Sequence, residues 1–473
     1  MKKLTTLVLA AGLVVSAFAG SASAGEFKPV LQFAEEFTYT DAGIDDSENF
    51  NAATRIRFGF DYVASEDLSA TILFQYRKGN WGHNRLDDDF TSDPEVNGIG
   101  GGDHFRMRLA YIDWTLPSTD VKVRMGRHAV VAPSYAFGSA VLDGRADGIT
   151  VTGSVNENIN LGFTWFRLDS GSSDYEIVDP LYASSKGKGF KAQDDADAVM
   201  LNAEFAYDGF KVAPWAMYVS GQEKSMFGGA YINSDLVVAG GNSYDAYVIG
   251  ASAELNMFDP FVFAVDAMYQ NAKIYNIPFA DKFTESDSFD GFYVAAKASY
   301  KLSNGVASLG GWYATGEDQD KLLSPNDKAM FALDGGFSAS TILFGDNIIG
   351  CDGYNTLTGD TPFGTWGLIA EYANFSFLEN LSHTARVVYV KGTNESEKNE
   401  YGMKVKAEEH SFLDWSEDDS AIEFDFNSTY QIYKNFSATL ELGYVFVDQS
   451  NLDFGQEEQD DIFRSALTFV YKF

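Results

Sequence analysis

Cysteine is almost absent from this 473-residue chain: Cys351 stands alone, so no intrachain disulfide can staple the fold. Long apolar runs are missing too. Beyond the first two dozen residues there is no stretch of about 18 apolar residues, which excludes a helical inner-membrane protein. Basic residues are outnumbered, 34 Lys and Arg against 68 Asp and Glu, and a net charge of −34 makes nucleic acid an unsuitable partner. Signatures of hydrolytic chemistry are also lacking. There is no G-x-S-x-G elbow and no H-E-x-x-H pair, and the five histidines, His83, His104, His128, His383 and His410, are scattered. Nothing sets a nucleophile beside a base, so an enzyme is not expected.

What is present begins with an address. Lys2 and Lys3 precede an apolar run from Leu7 to Phe18, and Ala22-Ser23-Ala24 has the small-x-small pattern of a signal-peptidase site. Residues 1–24 are expected to be a signal peptide and 25–473 a single exported domain. No Cys follows the cleavage site, so no lipoprotein anchor is expected. Aromatic residues make up 15% of the chain, and 44 Gly stand against 10 Pro. Abundant Phe, Tyr and Gly without helical periodicity is a strand composition.

The recurring unit alternates. In the segment 55–62, Ile56, Phe58, Phe60 and Tyr62 take one face, while Arg55, Arg57, Gly59 and Asp61 take the other. After a turn at 64–67, Ala70, Ile72, Phe74 and Tyr76 resume the apolar face, with Leu73 as an exception on the polar one. The pattern recurs at Ile159/Leu161/Phe163/Trp165, at Phe261/Phe263/Val265 and at Leu440/Leu442/Tyr444/Phe446. Short turns near 64–67, 117–120, 156–158, 208–209, 256–260, 301–305, 374–380 and 431–435 alternate with long loops. The loops lie near 41–50, 78–103, 129–146, 168–194, 221–243, 274–290, 316–363, 392–419 and 448–460. This spacing predicts an all-β, closed antiparallel transmembrane barrel of about 18 strands, with 16 as the alternative. A soluble sandwich would bury its apolar face in a core and use less regular hairpins. Here aromatic residues fall at strand ends (Tyr62, Tyr76, Tyr111, Tyr207, Tyr269, Tyr300, Tyr430), as interfacial girdles require. Pro214 marks a bulge or boundary, because proline cannot donate to a ladder.

Charge of the minority sign is clustered. Nine of the twelve arginines lie between Arg55 and Arg145. Arg55, Arg57, Arg77, Arg106, Arg108, Lys122 and Arg124 fall on the polar phase of consecutive strands, so they are expected to form a basic wall inside the lumen. A bland alternative has these residues pairing with lumen carboxylates. The loop 129–146 is more apolar than the others, with Val130, Val131, Tyr135, Phe137, Val141 and Leu142, and is expected to fold inward. Folded so, it would set its carboxylates across from the arginines, and a transverse field would sort ions by charge and size.

These features carry a resemblance. The early arginine wall, the Gly126-Arg127 pair in the fifth strand, the apolar loop after it and the terminal Phe473 resemble trimeric general porins. The opening Glu26-Phe27-Lys28-Pro29-Val30 and the closing strand Ile462–Phe473 look most similar to the homotrimeric outer-membrane porins of Desulfovibrio-type sulfate reducers. The resemblance implies outer-membrane residence in a Gram-negative cell, trimer assembly, and passive diffusion of small hydrophilic solutes and ions. It places a constriction at Arg55, Arg57, Arg77, Arg106, Arg108 and Arg124, with Lys122 on the same wall and Asp143 and Asp147 opposite. Eighteen strands exceed the sixteen usual for general porins. A substrate-selective channel for sugars or anions such as carboxylates is therefore the rival, with Trp81, Trp165, Trp215 and Trp312 as candidates for an aromatic track. No cofactor is expected. The acidic runs Asp87-Asp88-Asp89, Gly316–Asp320 and Glu457–Asp461 lack EF-hand spacing, and loop-bound calcium crosslinking lipopolysaccharide is the sharper alternative to solvated charge.

Overall fold

The computed structural model describes residues 25–41, 48–81, 105–169, 176–177, 190–191, 195–221, 244–279, 282–317, 328–345, 361–395, 416–448 and 461–473. The proposed signal peptide, Cys351, His83, His104, His410, Asp87–Asp89, Asp318–Asp320 and Glu457–Asp460 lie outside them. So does the side chain of Arg77.

Alternation of this kind makes ribbons with one apolar face, and such ribbons bury their backbone polar groups best by pairing in a closed ring. That is the architecture found. The first strands are β1 (Glu26–Asp41), β2 (Glu48–Ser65), β3 (Leu68–Asn80), β4 (Phe105–Thr115), β5 (Lys122–Val131), β6 (Asp143–Asn156) and β7 (Ile159–Asp169). A two-residue ribbon, β8 (Glu176–Ile177) and β9 (Phe190–Lys191), stands apart from the barrel. Then follow β10 (Ala196–Tyr207), β11 (Phe210–Gly221), β12 (Tyr244–Phe258), β13 (Phe261–Phe279), β14 (Lys282–Leu302) and β15 (Gly305–Ala314). The ring continues with β16 (Thr365–Leu378), β17 (Leu381–Gly392), β18 (Ser420–Tyr433), β19 (Phe436–Asp448) and β20 (Ile462–Lys472). These form one 18-stranded antiparallel sheet, closed by β1 against β20 with Glu36 opposite Thr468. Phe473 completes the seam: its N–H donates to Leu31 O at 2.8 Å and its carbonyl accepts from Leu31 N at 3.2 Å.

The eight short turns and nine longer connections fall where the alternation breaks. One region differs. The expected loop 274–290 is instead a hairpin extension, with β13 and β14 paired as far as Phe279 and Lys282. Pro214 lies inside β11, and the ladder to β10 lapses beside it, skipping from Asn202↔Trp215 to Phe205↔Val212. A residue without N–H leaves that gap, while the pairing with β12 continues through Pro214↔Ala251.

The outer wall is apolar and open. In β12, Tyr247 and Ile249 are 53% and 63% exposed, while Tyr244, Ala246, Val248 and Ser252 between and beside them are buried. In water so much contiguous exposed Phe, Tyr, Leu and Ile would drive aggregation; around a closed barrel it is a lipid-contacting surface. Ring pairs, stacked at Phe27–Phe60 and Tyr207–Phe210 and edge to face at Phe261–Tyr300, gather toward the short turns. Tyr111 departs from the expected girdle. A bulge between Leu73↔Leu109 and Phe74↔Met107 shifts the phase of β4, and Tyr111 faces the lumen.

The lumen is partly filled. Two connecting segments, 132–142 and 328–345, pack inside the ring, and their Phe137, Val141, Leu142, Phe331, Phe337, Leu343 and Phe344 are buried. Inward folding of the second is not expected from the sequence. It lies within the stretch 316–363, whose polar ends mask a short apolar centre.

Candidate functional site

The basic wall begins on β2. Arg55 and Arg57 share the inward phase of Gly59, and Gln75 faces the lumen beside them on β3. Arg57 Nε donates to Gln75 Oε1 at 2.9 Å, and Arg108 Nη1 donates to the same oxygen at 3.1 Å. Arg57 also reaches Gln32 on β1 at 3.4 Å. The bulge in β4 is what brings Arg108 here. Without the extra residue it would share the lipid-facing phase of Ala110, Ile112 and Trp114. Arg108 stands within electrostatic reach of Arg57, Arg145, Arg55 and Arg106, all positive. The structure thus brings together four of the expected residues, Arg55, Arg57, Arg106 and Arg108, and adds the charge of Arg145.

Arg124 and Lys122 sit nearer the short turns and have a local partner. Arg124 grips Asp113 in a two-pronged pair, Nε to Oδ1 at 2.7 Å and Nη2 to Oδ2 at 2.8 Å, and Lys122 Nζ approaches Asp113 Oδ2 at 3.0 Å. The Arg124 guanidinium also lies over the Tyr111 ring, 4.2 Å from its centroid. Asp113 is a member of the site that the sequence reading missed; its signal was the cross-strand position opposite Arg124.

The two expected carboxylates lie elsewhere. Asp147 shares the outward phase of Ile149 and pairs with Arg127 at 3.3 Å on the neighbouring strand. Asp143 begins β6, where the two inward segments meet. Several other acidic groups face the lumen from the barrel wall, among them Glu204, Glu254 and Asp266, the last two nearly opposite β3 and β4 in the strand order. Tyr135 points among them. Burial raises its hydroxyl above the usual tyrosine range, and a hydrogen bond to Glu204 with the charges of Glu204, Glu254 and Asp266 adds to that.

Buried carboxylates hold the inward segments. Asp266 on β13 accepts Ser134 Oγ at 2.7 Å and the backbone N–H groups of Tyr135 and Ala136 at 2.8 and 2.9 Å. Ser252 on β12 donates to Pro133 O at 2.9 Å. Glu423 on β18 does the same for the second segment, accepting Thr341 N at 3.0 Å, Ile342 N at 2.6 Å and Leu343 N at 2.9 Å. Gln270 takes Phe331 by both its N–H and its carbonyl, at 3.0 and 2.9 Å. A chain that turns through an apolar interior must satisfy its backbone donors, and these wall residues do so. Between the anchors Phe137, Trp312, Phe337 and Phe344 pack edge to face, with centroids 5.1–6.2 Å apart.

Trp215 and Trp312 are accordingly buried in the lumen wall under this packing and form no open track, whereas Trp165 is in the lipid-facing phase. A further ionic cluster, Lys297 and Arg386 on Glu371 at 3.0 and 2.6 Å, lines the side of β14, β16 and β17.

No protein-family model matches the chain. No curated protein matches it. Solved structures do. The outer membrane protein OprD from Pseudomonas aeruginosa superposes with a TM-score of 0.52 at 12% identity, over 96% of each chain. OccAB3 from Acinetobacter baumannii gives 0.53 at 11% identity, over 95% of this chain and 100% of that one. OccK2 (OpdF) from Pseudomonas aeruginosa gives 0.53 at 11%, over 95% and 98%. At such low identity the likeness establishes architecture: this chain has the closed antiparallel barrel fold of the OprD and Occ structures.

Proposed function

We propose that the chain is a porin of a Gram-negative outer membrane, a water-filled channel for passive diffusion of small hydrophilic solutes and ions. One observation carries this most: Arg57 and Arg108 share a single neutral oxygen on the inner wall, with Arg55, Arg106 and Arg145 around them. So many positive charges gathered on one stretch of inner wall suit a wet lumen that carries solutes and ions rather than a dry core. The apolar outer wall and the polar, partly plugged interior support the same reading. The proposed signal peptide, and the resemblance to homotrimeric Desulfovibrio-type porins, extend it to export and to a trimer in contact with outer-membrane lipid and lipopolysaccharide. The constriction then lies between the basic wall and the inward segments, and neither catalysis nor a cofactor is needed.

A selective channel for sugars or for anions such as carboxylates is the second reading, favoured by the basic cluster and by the strand number. Planar-bilayer recording on the refolded protein tests both. Ohmic conductance supports the general porin; block that saturates with one solute class supports the selective channel; no conductance overturns both. Neutralising Arg106, Arg108 and Arg124 together is expected to shift the reversal potential across a salt gradient towards cation selectivity.

A further inference from the structure

Segment 328–345 docks on two carboxyl groups of the wall, not one. Glu423 and Asp425 are both on the inward phase of β18 and both buried, 0% and 5% exposed. The N–H of Thr341 donates to each of them, at 3.0 Å to Glu423 Oε1 and at 3.1 Å to Asp425 Oδ2. Two acceptors on one donor set the side chains next to each other, within hydrogen-bonding reach. Glu423 is completed by the N–H groups of Ile342 and Leu343. Asp425 is left incomplete: its Oδ1 is buried without a hydrogen-bond partner. That oxygen lies beside Gly443, its cross-strand neighbour on β19, where the Ile342 side chain fills the space a Cβ would take.

We propose that Glu423 and Asp425 hold one proton between them and that this pair locks the end of segment 328–345 against the wall, docked while the proton is present and released when both groups are ionised. Two carboxylates side by side and out of water are not both ionised; sharing a proton turns their repulsion into a hydrogen bond. A neutral carboxyl also tolerates the orphan Oδ1, which an ionised one does not. The facing charges leave this balance in place. Arg386 on β17 is the cross-strand partner of Asp425, but its Nε is given to Glu371 at 2.6 Å. On the other side Gly443 intervenes before Arg464 on β20, and Glu441 stands one inward position below Gly443. From Gly335 to Gly345 the docked segment has no titratable side chain. Docking thus keeps a proton that the hydrated, undocked pair gives up, so it is strongest at acidic pH and weakens as pH rises. Gln270 still holds Phe331, so the far end of the segment lets go while the near end stays in the barrel. In the channel reading, on which this last step rests, the bore widens at alkaline pH.

Hydrogen exchange of the refolded full chain tests the lock without relying on conduction. Rates for a peptide spanning 339–345, which carries the three donors, are compared at about pH 5 and about pH 9 after correction for intrinsic chemistry. Wild-type protection is expected to fall several-fold at the higher pH. Asp425→Asn keeps a donor towards Glu423 and cannot ionise, so its protection is expected to be alike at both. A peptide spanning 132–138, held at Asp266 instead, is expected to keep its protection in both proteins. Wild-type protection of 339–345 that ignores pH overturns the lock, and so does an Asp425→Asn variant that retains the wild-type dependence. Exchange that behaves as expected in a protein without conductance leaves the lock standing and removes the porin reading.

Discussion

Glu423 on the inner wall accepts the backbone N–H of Leu343 at 2.9 Å, across 80 positions of sequence, and the same carboxylate also takes the N–H groups of Thr341 and Ile342. Replacing Glu423 with Ala leaves the Ile342 and Leu343 donors buried without that acceptor, while Thr341 N keeps Asp425 Oδ2 at 3.1 Å, a loss of about 3 kcal/mol to the docking of the segment. Single-channel conductance of the variant is expected to rise, because the segment leaves the wall. Unchanged conductance would show that Glu423 does not hold the bore.

Phe337 sits at the centre of the lumen packing, with Phe137, Trp312, Phe344 and Tyr293 around it and 1% of its surface exposed. Phe337→Ala should cost about 3–5 kcal/mol, since the cavity is enclosed on several sides by rings that cannot collapse into it. Urea titration of the refolded barrel would show a lowered midpoint, and open-channel current should become noisier.

The basic wall is divided energetically. Arg57 and Arg108 meet at Gln75 in the midst of other arginines, whereas Arg124 is gripped by Asp113 in a two-pronged pair. The double variant Arg57→Gln/Arg108→Gln is expected to move the reversal potential towards cations more than Arg124→Gln does. Arg124→Gln should instead lower the urea midpoint, because Asp113 loses its two-pronged partner. Equal shifts from the two variants would contradict this division.

Asp147→Asn offers the complementary control. Its ion pair with Arg127 is on the outward phase, and the aspartate side chain is 69% exposed. Neither the reversal potential nor the urea midpoint is expected to move appreciably. A change in selectivity would return Asp147 to the pore.

Gly126 has φ +116°, and a Cβ there would collide with Ala110 O. Its carbonyl meets His128 Nδ1 at 2.8 Å, which fixes the imidazole against Thr150. Gly126→Ala is expected to destabilise the barrel by about 1–3 kcal/mol through backbone strain alone. The fraction of heat-modifiable folded band on a gel, followed against urea, reads this directly.

Much of the architecture is written locally. Residues such as Phe58, Phe60, Ile72 and Phe74 repeat with period two, and that period assigns faces without reference to anything distant. Turn residues between such runs then fix the number of strands, so the barrel and its lipid-facing wall are legible in the order of residues alone. The same local rule misplaces Tyr111 and cannot explain Arg108, because a one-residue bulge in β4 resets the phase and depends on how β3 and β4 pair.

The interior depends on contacts between distant residues. That 132–142 turns inward is legible in its apolar side chains; that 328–345 joins it is not, since its docking rests on Gln270, Glu423 and the rings around Trp312. Each of these lies on another strand and says nothing locally about a partner. Asp143 and Asp147 likewise look equivalent in the chain, four residues apart on one strand. Yet the N–H of the first donates to Asp334 O where the inward segments meet, while the second pairs with Arg127 on the outer wall. Local alternation was enough to specify a closed ring with a greasy outside and a basic inner stretch. What fills that ring was set by tertiary contacts, because buried backbone donors and carboxylates find their partners across the lumen rather than along the strand.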